Sequence, residues 1–285
     1  NDGILTLPIV AAHSADVNKQ IGTITAPVVT ANYQQFELTI KVVIGEKITP
    51  VTSDDFKISA TGITYRQTLE NSTLTVEGTM KDPTTGKEVK GTFAWLNKYD
   101  RPINTGDVYF DWTFTPDESY GGIYATATGI VKVPVAPKSI EGAAITLEKY
   151  EFQYNATEQS PKITGVTLDN WDETRITYII KSGGSATDVS DSITLTIEGT
   201  GDYTGTATVE WKITPKTVTP TMEVASCTYT GNALEPAVTL NDGDAVIPEG
   251  EYTAEYSNNT NAGTGRVTIK DIEGGNYIIA SISRD

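Results

Sequence analysis

The stretch Asp202–Pro215, DYTGTATVEWKITP, carries the pattern that decides the fold of this chain. After the tyrosine, small or apolar side chains take every second position, and threonine or charged side chains lie between them. A period of two is typical of a β-strand that buries one face and solvates the other. The predicted inward face comprises Ala207, Val209, Trp211 and Ile213.

Similar stretches, each with a tyrosine near its start, occur four times along the chain. The tyrosines are Tyr33, Tyr124, Tyr203 and Tyr277, separated by 91, 79 and 74 residues. A second alignment places FQYNATEQSPKI, from Phe152, over CTYTGNALEPAV, from Cys227, at a constant offset of 75. Self-similarity at a coarse period predicts tandem copies of one structural unit.

Alternation dominates the rest of the chain, and no segment has a convincing helical stripe of apolar residues, so we predict an all-β protein with very little helix. Asp82–Gly86 and Asn241–Asp244 have the turn chemistry of hairpins. Trp95, Trp112 and Trp211 lie in strand patterns and are predicted to be core residues. Copies of roughly 75 to 90 residues, made of short strands, have the size of a small β-sandwich.

Prolines lie where the copies meet, in Lys47–Pro50, Pro134–Pro137 and Pro215–Pro220. Because proline lacks an amide donor and fixes φ, it ends strands and stiffens links. We therefore expect an extended array of sandwiches with limited bending. The predicted segments are 1–46, 47–136, 137–215 and 216–285.

The two ends of the array depart from the repeat. Residues 1–46 hold only what would be the second half of a unit, with Phe36, Leu38 and Ile40 on one face. Half a sandwich exposes an apolar face and should not fold alone. This segment is therefore either the C-terminal part of a repeat or a set of extra strands that pack on the next unit. At the other end Asp285 aligns with Trp211, so the last copy lacks the counterpart of KITP.

The last copy resembles the bacterial immunoglobulin-like repeats that occur in tandem in large surface proteins of gut Firmicutes. Its matching motifs are Tyr229-Thr230-Gly231 with Pro236, Tyr252 and Tyr256 leading into Asn258-Asn259 with Asn261 and Gly263, and Gly274-Gly275-Asn276-Tyr277. Gly91–Trp95 followed by Gly106–Tyr120 resembles another variant of these modules. The resemblance implies tandem immunoglobulin-like domains in an adhesin or in the stalk of a cell-wall protein of a Gram-positive bacterium.

Composition excludes several classes of partner. The net charge of −16 would repel phosphate backbones, so no nucleic-acid partner is expected. No apolar run reaches the ~20 residues of a membrane-spanning helix, so no membrane insertion is expected. The single cysteine, Cys227, excludes an internal disulfide framework, and strand alternation around it predicts a buried small hydrophobe. We expect a monomer.

Few residues could carry chemistry. His13 is the only histidine, so Ser-His-Asp, Cys-His and multi-histidine metal sites are absent, and we predict that the protein is not an enzyme and needs no cofactor. Calcium is the minor alternative, because acidic loops offer the oxygen ligands that a hard cation accepts. The candidate ligands are Asp169, Asp172, Asp242 and Asp244.

The leading functional hypothesis is an extracellular or cell-wall-anchored stalk that spaces or presents a distal binding region. In the alternatives, the segment itself binds a host glycan or protein, or serves as an accessory module of a carbohydrate-active enzyme. Trp171 lies in a polar loop, where an exposed indole could stack on a sugar or anchor a protein partner. The second candidate binding loop contains Asn258, Asn259 and Asn261.

Overall fold

The computed structural model describes residues 20–29, 31, 34–43, 45–168 and 176–285. The chain divides into two compact units, Asn1–Lys138 and Ser139–Asp285. The described residues form β-strands and short 3₁₀ turns, at Leu69–Asn71, Glu118–Tyr120 and Glu249–Glu251. The prediction of an all-β protein is confirmed.

The strands of the described residues are numbered in chain order. Those that begin in the first unit are β1 Gln20–Val28, β2 Phe36–Val43, β3 Val51–Thr52, β4 Lys57–Ala60, β5 Ile63–Thr64, β6 Leu74–Glu77, β7 Met80–Lys81, β8 Glu88–Val89, β9 Gly91–Trp95, β10 Gly106–Pro116, β11 Ala127–Ala136 and β12 Lys138–Ser139. Those of the second unit are β13 Ala144–Leu147, β14 Glu151–Gln153, β15 Ile163–Thr167, β16 Tyr178–Ser182, β17 Ser190–Gly199, β18 Tyr203–Thr204, β19 Thr206–Thr214, β20 Lys216–Val218, β21 Thr221–Val224, β22 Val238–Asp242, β23 Ala245–Ile247, β24 Tyr252–Ser257, β25 Arg266–Asp271, β26 Tyr277–Ile279 and β27 Ile282–Arg284.

The first two strands form an antiparallel hairpin in which Val28 pairs with Phe36 and Ile24 with Ile40. Phe36, Leu38 and Ile40 remain 57%, 44% and 40% exposed, so the apolar face that the alternation defines is open to solvent. His13 and Tyr33 lie outside the described residues. The strand pattern in this segment is thus confirmed, and among its described apolar side chains Phe36, Leu38 and Ile40 are exposed.

The rest of the first unit is a sandwich around an aromatic core. Strands β5, β11, β10 and β9 form one sheet, and the three-stranded sheet β3-β7-β8 and the pair β4-β6 supply the other strands. Trp112 and Phe114 are buried, and Phe93 packs against both rings at centroid distances of 5.5 and 4.8 Å. Trp95 is half-buried against the core and donates its indole N–H to the carbonyl of Ser72. The prediction that Trp112 is a core residue is confirmed.

The predicted hairpin at Asp82–Gly86 joins β7 to β8 and is fixed by the Asp82 side chain. The amides of Thr84 and Thr85 donate to Asp82 Oδ1 at 2.9 and 2.7 Å, and the Tyr124 hydroxyl donates to Oδ2 at 2.9 Å. These hydrogen bonds favour the ionised carboxylate. The Thr85 amide, followed by the Tyr124 hydroxyl, therefore lowers the pKa of Asp82, and the same contact raises the pKa of Tyr124.

Asp82→Asn should lower the melting temperature of the first unit by several degrees at neutral pH. Because the folded pKa is depressed, the carboxylate stabilises the fold fully above its unfolded pKa and loses this effect as pH falls through the folded value, below the ordinary 3.8. Thermal melts from pH 7 downward should show wild type and variant converging in that acid window. The exposed Asp54→Asn serves as the control. A difference that stays constant through the acid window would contradict this role.

The second unit begins with a sandwich whose closing strand is β19. One sheet has the order β14-β19-β17-β16, and β13 pairs with β15 opposite it. β19 runs antiparallel to β17, with Ala207 opposite Ile197 and Trp211 opposite Ile193, and its end runs parallel to β14. Ala207, Trp211 and Ile213 are 5%, 2% and 0% exposed and Val209 is half-buried, which confirms the predicted inward face.

Gly183 lies closely against β17 and accepts a hydrogen bond from the closing strand. A Cβ at Gly183 would lie 2.0 Å from the carbonyl oxygen of Thr194, and its φ of +67° is left-handed. The Gly183 carbonyl accepts the Trp211 indole N–H at 2.8 Å. Only glycine combines this backbone conformation with so close an approach.

Gly183→Ala should destabilise the second unit more than Gly142→Ala does. Gly142 has a similar φ of +80°, but nothing lies within 4 Å of its added Cβ. The left-handed conformation costs both variants about 1–2 kcal/mol, and the overlap with Thr194 adds about 1–3 kcal/mol at Gly183 alone. Chemical denaturation of the full chain measures the difference, and equal losses would refute the steric argument.

The last sandwich has two three-stranded sheets, β21-β22-β23 and β24-β25-β27. The predicted hairpin at Asn241–Asp244 is confirmed, because Asp242 pairs with Ala245 and Gly243 has a φ of +62°. Its core includes Leu240, Ile247 and Ile269, which are at most 1% exposed.

The recurring tyrosine lies beside the first residues of its own sandwich. Ile48 forms a parallel bridge with Tyr124, and β20 pairs in parallel with β26, which begins at Tyr277. In the sandwich between them, the amide of Ile140 donates to the carbonyl of Thr204, next to the buried Tyr203. In the three copies that the structure describes, the tyrosine thus lies where the end of the sandwich pairs with its first residues.

Candidate functional site

A groove of about 660 Å³ lies at one end of the last sandwich. Its walls come from residues 224–229, from the loop that follows β24, and from the ends of β25 and β27 that meet there. The side chains that matter below are Cys227, Tyr229, Tyr256, Asn258, Asn259 and Asn261. The structure thus brings the predicted asparagine loop together with an aromatic residue, Tyr229, that is 60% exposed.

In the asparagine loop, Asn259 forms hydrogen bonds that hold the loop against Leu234. The Asn259 side-chain amide donates to the carbonyl of Leu234 at 3.0 Å, and the Leu234 amide donates to the carbonyl of Asn259 at 2.9 Å. Gln159 and Ala186 form the equivalent backbone bridge in the preceding sandwich, at 2.8 and 3.0 Å. Asn259 therefore holds the groove wall in place, while Asn258 and Asn261 are exposed. Their predicted role in binding stays a prediction.

Two tyrosines of β24 donate hydrogen bonds to backbone carbonyls at the start of β22 and just before it. The Tyr252 hydroxyl donates to the carbonyl of Val238 at 2.8 Å, and the Tyr256 hydroxyl donates to the carbonyl of Pro236 at 2.6 Å. Burial raises the pKa of both phenols, so both hydroxyls stay protonated donors at neutral pH. These contacts tie β24 to the first residue of β22 and to the segment that precedes it.

Arg266 and Asp285, which both line the groove, form an ion pair. Arg266 donates two hydrogen bonds to Asp285, one of them from Nη2 at 2.9 Å, and Arg284 donates to the carbonyl of Met222 at 2.8 Å. The contact with Arg266 lowers the pKa of Asp285. Because both side chains of the pair are 54% exposed, the pair orients the end of β27 more than it stabilises the fold.

The prediction that Cys227 is buried is wrong, because its side chain is exposed. The alternation in MEVASCTYTG suggested one strand, but β21 ends at Val224 and residues 225–230 belong to no strand of the described part of the chain. An alternating pattern buries a side chain only if a second strand pairs beside it. Among the described residues no strand pairs with residues 226–230, although the Ala225 amide donates to the carbonyl of Ala237 at 2.9 Å.

The Cys227 thiol should react with an aromatic disulfide reagent in the folded protein. Unfolding in denaturant should raise the reaction rate by less than about tenfold, because access does not limit the native reaction. Stopped-flow absorbance measures both rates, and Cys227→Ala gives the background. If the native thiol reacts only upon unfolding, Cys227 is covered in solution.

The other predicted ligands fall in two places. Asp169, Trp171 and Asp172 lie outside the described residues. Asp242 Oδ2 accepts a hydrogen bond from Lys216, and Asp244 is exposed on the hairpin turn. Within the described ranges no three His, Cys, Asp or Glu side chains converge as they would to hold a metal ion. Calcium binding by these residues remains a prediction.

A second constellation, which sequence reasoning did not single out, is centred on Asn276. Its Oδ1 accepts the amide of Val189 at 2.7 Å, and its Nδ2 donates to Glu251 Oε1 at 2.8 Å and to Asp188 Oδ1 at 3.2 Å. The Tyr154 and Tyr277 rings pack edge to face at 5.2 Å. Asn276 therefore joins the two sandwiches of the second unit. The GGNY motif was the available signal, but its role depends on residues 87 positions away.

Comparisons with known proteins identify no family. No family model matches the chain, and no curated protein matches it. In the described residues, no helix is long and apolar enough to cross a membrane.

Among solved structures, the chain is similar to the extracellular domain of Protocadherin GammaB4, at 13% identity over 92% of this chain and 53% of that one, with a TM-score of 0.27. The Protocadherin Gamma B2 extracellular cadherin domains 3-6 match at 12% identity over 92% and 81%, with a TM-score of 0.23. The human Desmocollin-1 ectodomain matches at 11% identity over 89% and 61%, with a TM-score of 0.22. The chain thus spans about half of the first of these structures. The all-β fold is established by the strands and registers of the chain itself.

Proposed function

We propose that this chain is a non-enzymatic extracellular spacer, in which a series of sandwiches holds a distal binding region away from a cell surface. The observation that carries the proposal is the joint at Asn276. A spacer must resist bending where one sandwich meets the next, and this joint supplies hydrogen bonds from one side chain to both sides.

The geometry of the joint suits this role. Asn276 is half-buried, and all the hydrogen bonds made by its side chain go to Asp188, Val189 or Glu251. Its backbone amide adds a bond to Glu251 Oε2 at 2.8 Å. Because one short side chain contacts both sandwiches, their relative rotation would break several hydrogen bonds at once.

The cell-surface setting rests on the motifs of the last copy. Tyr229-Thr230-Gly231, Asn258-Asn259 and Asn276-Tyr277 resemble those of bacterial immunoglobulin-like repeats. We extend this resemblance to propose a stalk or adhesin segment anchored in the wall of a Gram-positive cell. The net charge of −16 supports such a role, since it keeps an exposed array soluble.

Small-angle scattering of the full chain tests the spacer. A compact globule of this length would have a radius of gyration of about 19 Å, whereas an extended array should give a clearly larger value. Asn276→Ala should broaden the distance distribution and lower the stability of the second unit by about 1–2 kcal/mol, through the loss of hydrogen bonds to charged groups.

The matched control is Asn232→Ala, an exposed asparagine in the same unit. It should leave both the scattering profile and the stability unchanged. A wild-type radius of gyration near the compact value would refute the spacer proposal. An Asn276→Ala profile identical to wild type would show that the joint does not set the stiffness.

The alternative function is direct binding of a host glycan or protein, or service as an accessory carbohydrate-binding module. The groove with exposed Tyr229, Asn258 and Asn261 favours it. An aromatic face beside amide groups is chemistry that could hold a sugar ring. Titration of the full chain with a panel of soluble oligosaccharides tests this alternative, which requires binding that Tyr229→Ala weakens.

A further inference from the structure

In the sandwich formed by residues 139–215, which we call the middle sandwich, the segment that enters and the segment that leaves are paired at two places. Near the entry, the amide of Ile140 donates to the carbonyl of Thr204 at 2.8 Å. Near the exit, β14 runs parallel to β19, with Phe152 opposite Ile213. Residue numbers increase in the same direction along both segments, so the chain enters at one end of this pair and leaves at the other.

The pairing at the exit holds the last residues of β19 through several hydrogen bonds. The Lys212 amide donates to the carbonyl of Tyr150 at 3.0 Å, and the Tyr154 amide donates to the carbonyl of Thr214 at 2.8 Å. The Thr214 hydroxyl adds a hydrogen bond to the carbonyl of Phe152 at 3.1 Å. We call these contacts the exit clamp. It fixes the backbone at the point where the chain leaves the sandwich.

Only Pro215 separates the exit clamp from the first hydrogen bond of the last sandwich. The Lys216 amide donates to the carbonyl of Asn276 at 3.0 Å, and β20 continues in parallel with β26. Thr214 and Lys216 are two residues apart, so at most about 7 Å of extended chain lies between the two anchored positions. A pull on one of these sandwiches therefore reaches the other with little slack.

The sandwich of the first unit has the same two anchored positions. Near its entry, the Ile48 amide donates to the carbonyl of Ile123 at 3.0 Å, and the Ile48 carbonyl accepts the Ala125 amide at 2.9 Å. Near its exit, β5 runs parallel to β11, and the Tyr65 amide donates to the carbonyl of Ala136 at 2.8 Å. The arrangement thus recurs in a sandwich whose core is built from different side chains.

We propose that the chain bears tension, and that the exit clamp must break before the middle sandwich unfolds under load. A pull on the two ends of the sandwich draws the entering and leaving segments past each other along their common direction. Because the hydrogen bonds of a parallel pair are evenly spaced along the strands, such a pull loads them together. The inference rests on the proposed function, since a spacer that holds a distal region away from a cell surface is pulled from both ends.

Single-molecule force spectroscopy of the full chain tests the direction of load. Two pairs of thiol handles are compared in a Cys227→Ala background, because Cys227 is itself exposed. Pro137→Cys with Thr217→Cys pulls the middle sandwich lengthwise, whereas Asn155→Cys with Thr217→Cys pulls β19 sideways from the exit. All three handle positions are exposed. The sideways pair should unfold the sandwich at no more than about half the force, because it breaks the bonds of the parallel pair one after another.

Two variants at Tyr154 test the exit clamp itself. Tyr154→Pro removes the amide that donates to Thr214, whereas Tyr154→Ala keeps this amide and loses only the ring with its contact to Tyr277. In the lengthwise geometry, Tyr154→Pro should unfold about fivefold faster at a fixed load than Tyr154→Ala, which is the effect of one hydrogen bond. Thermal melts check the fold of each protein, and the comparison of handle pairs needs neither variant.

Two results would overturn the proposal. Equal unfolding forces for the two handle pairs would mean that the parallel pair does not carry the load. Equal unfolding rates of Tyr154→Pro and Tyr154→Ala would mean that the exit clamp does not limit unfolding. These failures are distinct from failure of the spacer, which scattering measures: equal forces in an extended array would leave a spacer that bears no load.

Discussion

The parallel pairing of an early strand with the end of the closing strand is the contact on which each complete sandwich depends. In residues 139–215, β19 meets β17 on one side and β14 on the other, and so joins the beginning, middle and end of the sandwich sequence in one sheet. Trp211 sits where these strands meet, with its ring on Phe152 and its N–H on Gly183. β11 does the same in the first unit, where it runs parallel to β5. Such non-local contacts supply the burial that short strands cannot achieve alone.

The alternating pattern predicts the strands and their faces well where a neighbouring strand is present. Ala207, Trp211 and Ile213 are buried as the pattern indicates, and the turns at Asp82 and Gly243 form as their chemistry requires. At Cys227 the same pattern fails. Alternation records only that a segment can present one apolar face, whereas burial needs a second strand, and that strand is not part of the local sequence. Phe36 is likewise exposed although its strand alternates.

The candidate site was predictable only in part. The asparagine loop was visible in the sequence, because Asn258, Asn259 and Asn261 are clustered. Its partner across the groove, residues 225–230, was not visible, since these residues read as an ordinary strand. The joint at Asn276 was also hidden, because its partner Val189 lies on another sandwich and carries no motif. Contacts between residues that are far apart in the sequence cannot be predicted from the local sequence around either residue.

The motifs that resemble bacterial immunoglobulin-like repeats have identifiable tasks in the fold. Tyr252 and Tyr256 anchor β24, Asn259 bridges to Leu234, and Asn276 forms the joint. Because these motif residues form hydrogen bonds within the protein, the motif specifies the fold of the sandwich. It does not specify a ligand, since one fold can carry many different binding sites. Residues that would distinguish one ligand from another must therefore lie elsewhere. Tyr229 is such a residue, because it belongs to a motif and yet is 60% exposed beside the groove.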